Sequence, residues 1–252
     1  MYHSVADEDE SALGPYYRIA VPPALFLQQM TWLHEHGYRT ASLASAMERL
    51  HAGGGTAEKT VVITFDDGYR NFCQHAFPAL DRFGFTATMF LPTASIGDQP
   101  QIFNQRECMT WGEVRALQQR GITFGSHTVT HPQLHDLQAD RIREEILRSR
   151  QTLQDKIGCA IDTFAYPYAF PQTDAPFIAM VRQILEESGY RYGVCTQIGR
   201  AGAASDPLFL ERLPVNSADD SALLEAKMTG DYDWVGGLQT LVKRVRRPRT
   251  KA

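Results

Sequence analysis

The chain has 252 residues, 43% of them apolar and 21% charged, a composition that builds a hydrophobic core without disulfides or a structural metal. Its net charge of −4 is uneven: residues 243–251 carry six basic side chains and no acidic one, and setting those six aside leaves −10, which argues against a general nucleic-acid binder. No apolar run of about 18 residues is present, which excludes a membrane-spanning helix by this criterion.

Met1–Glu10 is polar and acidic, without the basic and apolar regions of a secretory leader, so a cytoplasmic location is the expectation. Cys73, Cys108, Cys159 and Cys195 are widely spaced and form no CxxC pair, and they read as four reduced thiols. The basic residues Lys243, Arg244, Arg246, Arg247, Arg249 and Lys251 set off 243–252 as a tail from a single domain over 1–242. A solvated terminus is the expectation for this tail, with contact to an anionic membrane as the other reading.

In chain order, Pro22–His36 reads as a helix stopped by Gly37. Val61–Phe65 (VVITF) is the first clear strand, followed by a helical stretch over Asn71–Phe83. The strand Ala87–Leu91 leads to Thr110–Arg120, where Thr110 with Glu113 three residues on forms a capping-box pattern. The strand Ile122–Ser126 precedes Asp140–Ile157, whose Ile142, Ile146, Leu153 and Ile157 keep a helical period up to Gly158. The strand Thr163–Tyr166, a helix over Phe177–Ser188 ending at Gly189, and strands Tyr192–Thr196 and Leu210–Val215 complete the series. Strand and helix alternating at this spacing predict a parallel α/β sheet, open or closed into a barrel.

Chemistry in such folds sits just past the carboxyl ends of the strands. After Val61–Phe65 come Asp66, Asp67 and Gly68, after Ile122–Ser126 come His127 and His131, and after Thr163–Tyr166 comes Pro167-Tyr168. Alone, these are an Asp-Gly turn, two surface histidines and a packed turn. The histidine spacing faces both imidazoles to one point if the segment is a single helical turn, and His135 repeats that spacing. Together, one aspartate and two histidines make a donor set for a divalent cation with positions left open, and the second aspartate is free to act as a base. Tyr69, Trp111, Tyr166 and Tyr168 are candidates for stacking on a sugar ring, with Trp111 equally a core residue.

The segments Thr64-Phe65-Asp66-Asp67-Gly68, Ser126-His127-Thr128-Val129-Thr130-His131 and Phe164-Ala165-Tyr166-Pro167-Tyr168 resemble, in order and separation, the polysaccharide deacetylases of the NodB-homology group. The resemblance runs from Met1-Tyr2-His3 to about Val215 and implies a distorted (β/α) barrel of about seven units, carrying metal-dependent hydrolysis of acetyl groups on N-acetylated sugars. It implies Asp67, His127 and His131 as metal ligands, Asp66 as general base, and the backbone N–H of Tyr168 as an oxyanion donor. The metal it implies is Zn2+ by default, with Ni2+, Co2+ or Mn2+ accepting the same ligands.

Two features of many members are absent: an Arg in the third motif and a late Leu-x-His. The branch resembling poly-N-acetylglucosamine deacetylases shares the Phe-Ala-Tyr-Pro-Tyr motif and an early Tyr-His pair, which implies His3 as the general acid. Arg212 is the candidate to brace Asp66 in place of the missing Arg, and Ala169 stands where that branch has Gly. The expected partner is an N-acetylated carbohydrate, and the alternative is an amide, imide or O-acetyl ester hydrolase of the same fold.

Overall fold

The computed structural model describes residues 1–52 and 59–246. Its elements are β1 (Ser4–Val5), β2 (Ala20–Val21), α1 (Pro23–Glu35), β3 (Arg39–Thr40), α2 (Leu43–His51), β4 (Thr60–Val61), β5 (Thr64–Phe65), α3 (Phe77–Arg82), β6 (Thr88–Leu91), β7 (Ile102–Phe103), β8 (Arg106–Glu107) and α4 (Trp111–Gln119). The series continues with β9 (Thr123–Ser126), α5 (Ala139–Ile157), β10 (Thr163–Ala165), α6 (Ala175–Glu187), β11 (Tyr192–Ile198), β12 (Leu210–Arg212), α7 (Ser221–Thr229) and α8 (Trp234–Arg246).

Six parallel strands form one sheet in the order β12-β11-β10-β9-β6-β5. Met1 and Tyr2 lie between its two edges. Tyr2 N donates to Thr64 O and Asp66 N to Tyr2 O on one side, while Met1 N donates to Leu213 O and Val215 N to Met1 O on the other. These bonds close the parallel sheet, which the β/α rhythm left open or closed, into the distorted barrel that the family resemblance implies.

Strand alternation divides the core in two. Phe65, Met89, Leu91, Phe124 and Phe164 belong to the large outer core with Ile142, Ile146, Leu153 and Val181 of the surrounding helices. Phe90, Ala165, Tyr192, Val194 and Leu210 form a second cluster with Leu43 and Met47 of α2. Gly125 makes room for this filling: a Cβ there would stand 2.6 Å from the ring of Phe90.

The capping box at Thr110 is formed, with the Thr110 side chain accepting from Glu113 N and Glu113 from Thr110 N. Gly158 ends α5 in the left-handed conformation, φ 76°. Two elements differ from expectation. Val61–Phe65 is two short strands, β4 pairing with β3 and β5 with β6, because the chain changes partners at the barrel's edge. The helix over Asn71–Phe83 begins with a π-helical turn, Phe72–Ala76, before α3.

The four cysteines are free thiols. The boundary at 242 falls inside α8, which continues to Arg246; Arg247, Arg249 and Lys251 lie outside the described residues.

Candidate active site

Register brings the motifs to one end of the barrel. Phe65 is level with Met89, while Ser126 pairs with both Leu91 and Phe164. Asp66-Asp67, His127 and the Tyr166-Pro167-Tyr168 turn therefore leave neighbouring strands on the same rim.

Among the described residues, ligand atoms of Asp67, His127 and His131 lie within 4.8 Å of one another, and all three residues are buried. Asp67 Oδ1 is 3.4 Å from His131 Nε2 and 3.7 Å from His127 Nε2, and the two Nε2 atoms are 3.1 Å apart. His127 Nδ1 donates to Ala165 O at 2.8 Å, which leaves the lone pair on its Nε2. Asp67 Oδ1 has no hydrogen-bond partner although it is buried. A partnerless carboxylate oxygen beside converging imidazole nitrogens fits a divalent cation, with coordination positions left over for water and substrate.

The histidine loop is not the helical turn that the i, i+4 spacing suggests. Thr128 and His131 both take left-handed backbone, φ 69° and 56°, and the Thr128 hydroxyl accepts from His131 N. Glu145 on α5 holds this shape. Its carboxylate accepts from Val129 N, Thr130 N and the Thr130 hydroxyl at 2.8–2.9 Å. Sequence reasoning missed Glu145, yet a signal exists, since it shares the buried face of α5 with Ile142, Ile146 and Ser149. His135 is elsewhere, with its Nε2 3.1 Å from Asp174 Oδ2 near the N-terminus of α6.

Arg212, the last residue of β12, grips Asp66 with both terminal nitrogens, each 2.7 Å from a different carboxylate oxygen. Its Nε donates to Cys195 O, and both residues of the pair are buried. Burial by itself would raise the Asp66 carboxyl, but the Arg212 guanidinium outweighs it and holds the group well below the usual carboxylate range. Asp67 goes the other way: burial, reinforced by the neighbouring Asp66 charge, pushes it up to about 7. Burial lowers His127 to about 4 and His131 to about 3, so both imidazoles are neutral at pH 7.

His3 sits at this rim because Tyr2 is an ordered part of the barrel wall. The Tyr2 ring stacks on Phe65 and its hydroxyl donates to Gln29, so strand alternation turns the half-buried His3 to the opposite side. There its imidazole feels the charges of Asp66 and Arg212. Burial lowers it to about 4, against the opposing pull of Asp66. Asn71 secures the next residues, donating to Ser4 Oγ and accepting from Val5 N.

Tyr168 takes φ 56° immediately after Pro167, and its ring centroid lies 4.5 Å from that of His131. The left-handed residue of this turn is thus Tyr168 itself, and Ala169 needs no glycine. Of the four aromatic candidates, Tyr168 is 47% exposed, whereas Tyr69, Trp111 and Tyr166 are buried in the core and cannot stack on a sugar. Phe103, on the β7–β8 hairpin, contributes another ring against His131, 5.3 Å between centroids.

A family model described as polysaccharide deacetylase matches residues 53–193. The Bacillus subtilis protein YxkH, by name a polysaccharide deacetylase, is 29% identical over 216 residues, 86% of this chain and 70% of that protein. The Escherichia coli poly-β-1,6-N-acetyl-D-glucosamine N-deacetylase is 33% identical over 137 residues, 50% of this chain but 20% of its own length. Among solved structures, the Streptococcus pyogenes deacetylase PplD in complex with acetate superposes with a TM-score of 0.79 at 26% identity, covering 90% of this chain and 96% of that one. IcaB from Ammonifex degensii shares the fold, with a TM-score of 0.72 at 22% identity, over 90% of this chain and 93% of its own.

Proposed function

The chain belongs to the polysaccharide deacetylase family, and we propose that this carbohydrate deacetylase removes the N-acetyl groups of N-acetylglucosamine units in a glycan, using Zn2+. The observation that carries the reading is the partnerless Asp67 Oδ1 converging with His127 and His131 beside an Arg212-braced Asp66. The amino-sugar specificity draws support from the E. coli relative, an N-deacetylase of poly-N-acetylglucosamine by name. An amide, imide or O-acetyl ester hydrolase of the same fold is not favoured by that relative.

Asp67, His127 and His131 would hold the metal, and two imidazoles with one carboxylate suit zinc. When bound, the metal polarises the acetamide carbonyl and acidifies a water. Asp66 remains ionised at any working pH and takes the proton of the attacking water. Arg212 keeps its carboxylate aimed while leaving a lone pair on each oxygen. The Tyr168 N–H donates to the developing oxyanion, a contribution typically worth about 3–4 kcal/mol. The departing nitrogen needs a proton: Asp66 passes the one it takes from water to His3, which starts neutral, and the imidazolium so formed delivers it to the nitrogen, so the proton balance closes within the site.

Metal content and acetate release, measured together on N-acetylglucosamine oligomers, test this reading. About one metal per chain with acetate released is the expected result. Metal without acetate from any amino-sugar oligomer overturns the substrate while leaving the metal site standing.

A further inference from the structure

α8 is turned the wrong way round for a helix that merely caps a domain. At 100° per residue, Trp234, Leu238, Leu241 and Val242 fall at i, i+4, i+7 and i+8 on one stripe. That stripe faces solvent, with the four residues 68%, 48%, 57% and 40% exposed. The inward face is small and polar instead. Gly236 is buried so closely against β11 that a Cβ there would lie 2.1 Å from Ile198 O.

Polar contacts hold that inward face in place. Gln239 bonds to Ile198 N and Thr196 O, Thr240 accepts from Gln172, and Lys243 Nζ donates to Phe170 O and Gln172 Oε1. A cleft of about 450 Å3 remains between α8 and the end of β11. This arrangement specifies which face of α8 is presented outward, and that face is apolar.

Two further facts point to what it meets. The exposed stripe leads directly into a segment whose sequence holds Arg244, Arg246, Arg247, Arg249 and Lys251 with no acidic residue, on a body that is otherwise strongly acidic. Tyr16, exposed with its neighbour Tyr17, accepts a hydrogen bond from Gln239 and so adds an aromatic beside the helix. An apolar stripe carrying a Trp, flanked by tyrosines and followed by basic residues, fits the headgroup layer of an anionic bilayer.

We propose that α8 is an interfacial helix that seats the protein on an anionic phospholipid surface. Phe170 and Gln172, which α8 holds, follow the Tyr168 turn, and Thr196 joins the two by donating to Tyr168 O. α8 therefore packs beside the catalytic rim, and docking through it brings the active site close to glycan held at a membrane surface.

The test is co-sedimentation of the full chain with phosphatidylcholine vesicles, with and without about a third phosphatidylglycerol. Vesicle partition is independent of catalysis, so its outcome and that of the deacetylase reading are separable. Partition at least about tenfold stronger onto the anionic vesicles, weakened by salt and accompanied by a blue shift of Trp234 emission, is expected. Trp234→Ser with Leu238→Ser should abolish partition while acetate release from soluble oligomers is unchanged. Arg247→Glu with Arg249→Glu should remove the preference for phosphatidylglycerol. Absence of partition, equal partition onto both vesicles, or a dimer that the Trp234/Leu238 variant dissociates without any vesicle binding would each overturn the proposal.

Discussion

Arg212 and Asp66 are 146 residues apart in sequence, yet the guanidinium clasps both carboxylate oxygens at 2.7 Å, so the orientation of one strand-end aspartate depends on the last strand of the barrel. The pair is buried on both sides, with Phe90 beneath the guanidinium. Removing Arg212 would strand an ionised carboxylate out of water. Arg212→Ala is expected to cost roughly 3–5 kcal/mol of stability. Pairing it with Asp66→Asn should return a large part of that loss, because no charge is then left unpaired. Urea unfolding of the two variants measures this. Arg212→Lys keeps the charge but not the fork, and should lower kcat more than it lowers stability.

Metal uptake should be coupled to Asp67. In the metal-free protein its carboxyl is raised to about 7, so below that pH it is protonated and must lose its proton before it can act as a ligand. The histidines, at about 4 and 3, are already neutral and release none. Apparent affinity should therefore fall about tenfold per pH unit below pH 7 and level off above it. Calorimetry in buffers of different ionisation enthalpy should find about one proton released at pH 6 and almost none at pH 8. No proton release at pH 6 would remove Asp67 from the ligand set.

Glu145 should govern the metal site without touching it. Glu145→Ala leaves Val129 N, Thr130 N and the Thr130 hydroxyl without their acceptor; Val129 is half-buried and Thr130 exposed, so water replaces part of what is lost and the main effect falls on the shape of the loop. With His131 no longer held at its left-handed position, metal affinity should drop about 10–100-fold. Glu145→Gln, which keeps an acceptor oxygen, should recover part of the affinity. Metal titration at a temperature where both variants are folded separates this effect from unfolding.

His3→Gln should lower kcat by about 10²–10⁴-fold with KM and metal content little changed, since the imidazole is assigned to leaving-group protonation alone. Steady-state kinetics on one oligomer length, alongside metal analysis, provides the measurement. An unchanged kcat would transfer the acid role to another group.

Much of the site could be read from the chain because its pieces are local. A parallel β/α rhythm places whatever follows each strand on the same rim, so Asp66-Asp67, His127, His131 and the Tyr166-Pro167-Tyr168 turn could be located from strand-end positions alone. The capping box at Thr110 and the stop at Gly158 likewise depend on neighbours within a few residues. What the three-dimensional structure decided is everything that depends on closure and burial. Whether Arg212 meets Asp66, and whether His3 belongs to the site, turns on Met1 and Tyr2 bonding to both β5 and the chain after β12. The burial of Tyr69, Trp111 and Tyr166, the left-handed shape of the histidine loop and the grip of Glu145 follow from packing between elements distant in sequence. The helix α8 is not among the elements predicted from the chain, and the direction of its apolar stripe is set by packing. Gly236 against the backbone of β11, together with the polar bonds of Gln239, Thr240 and Lys243, turns that stripe outward.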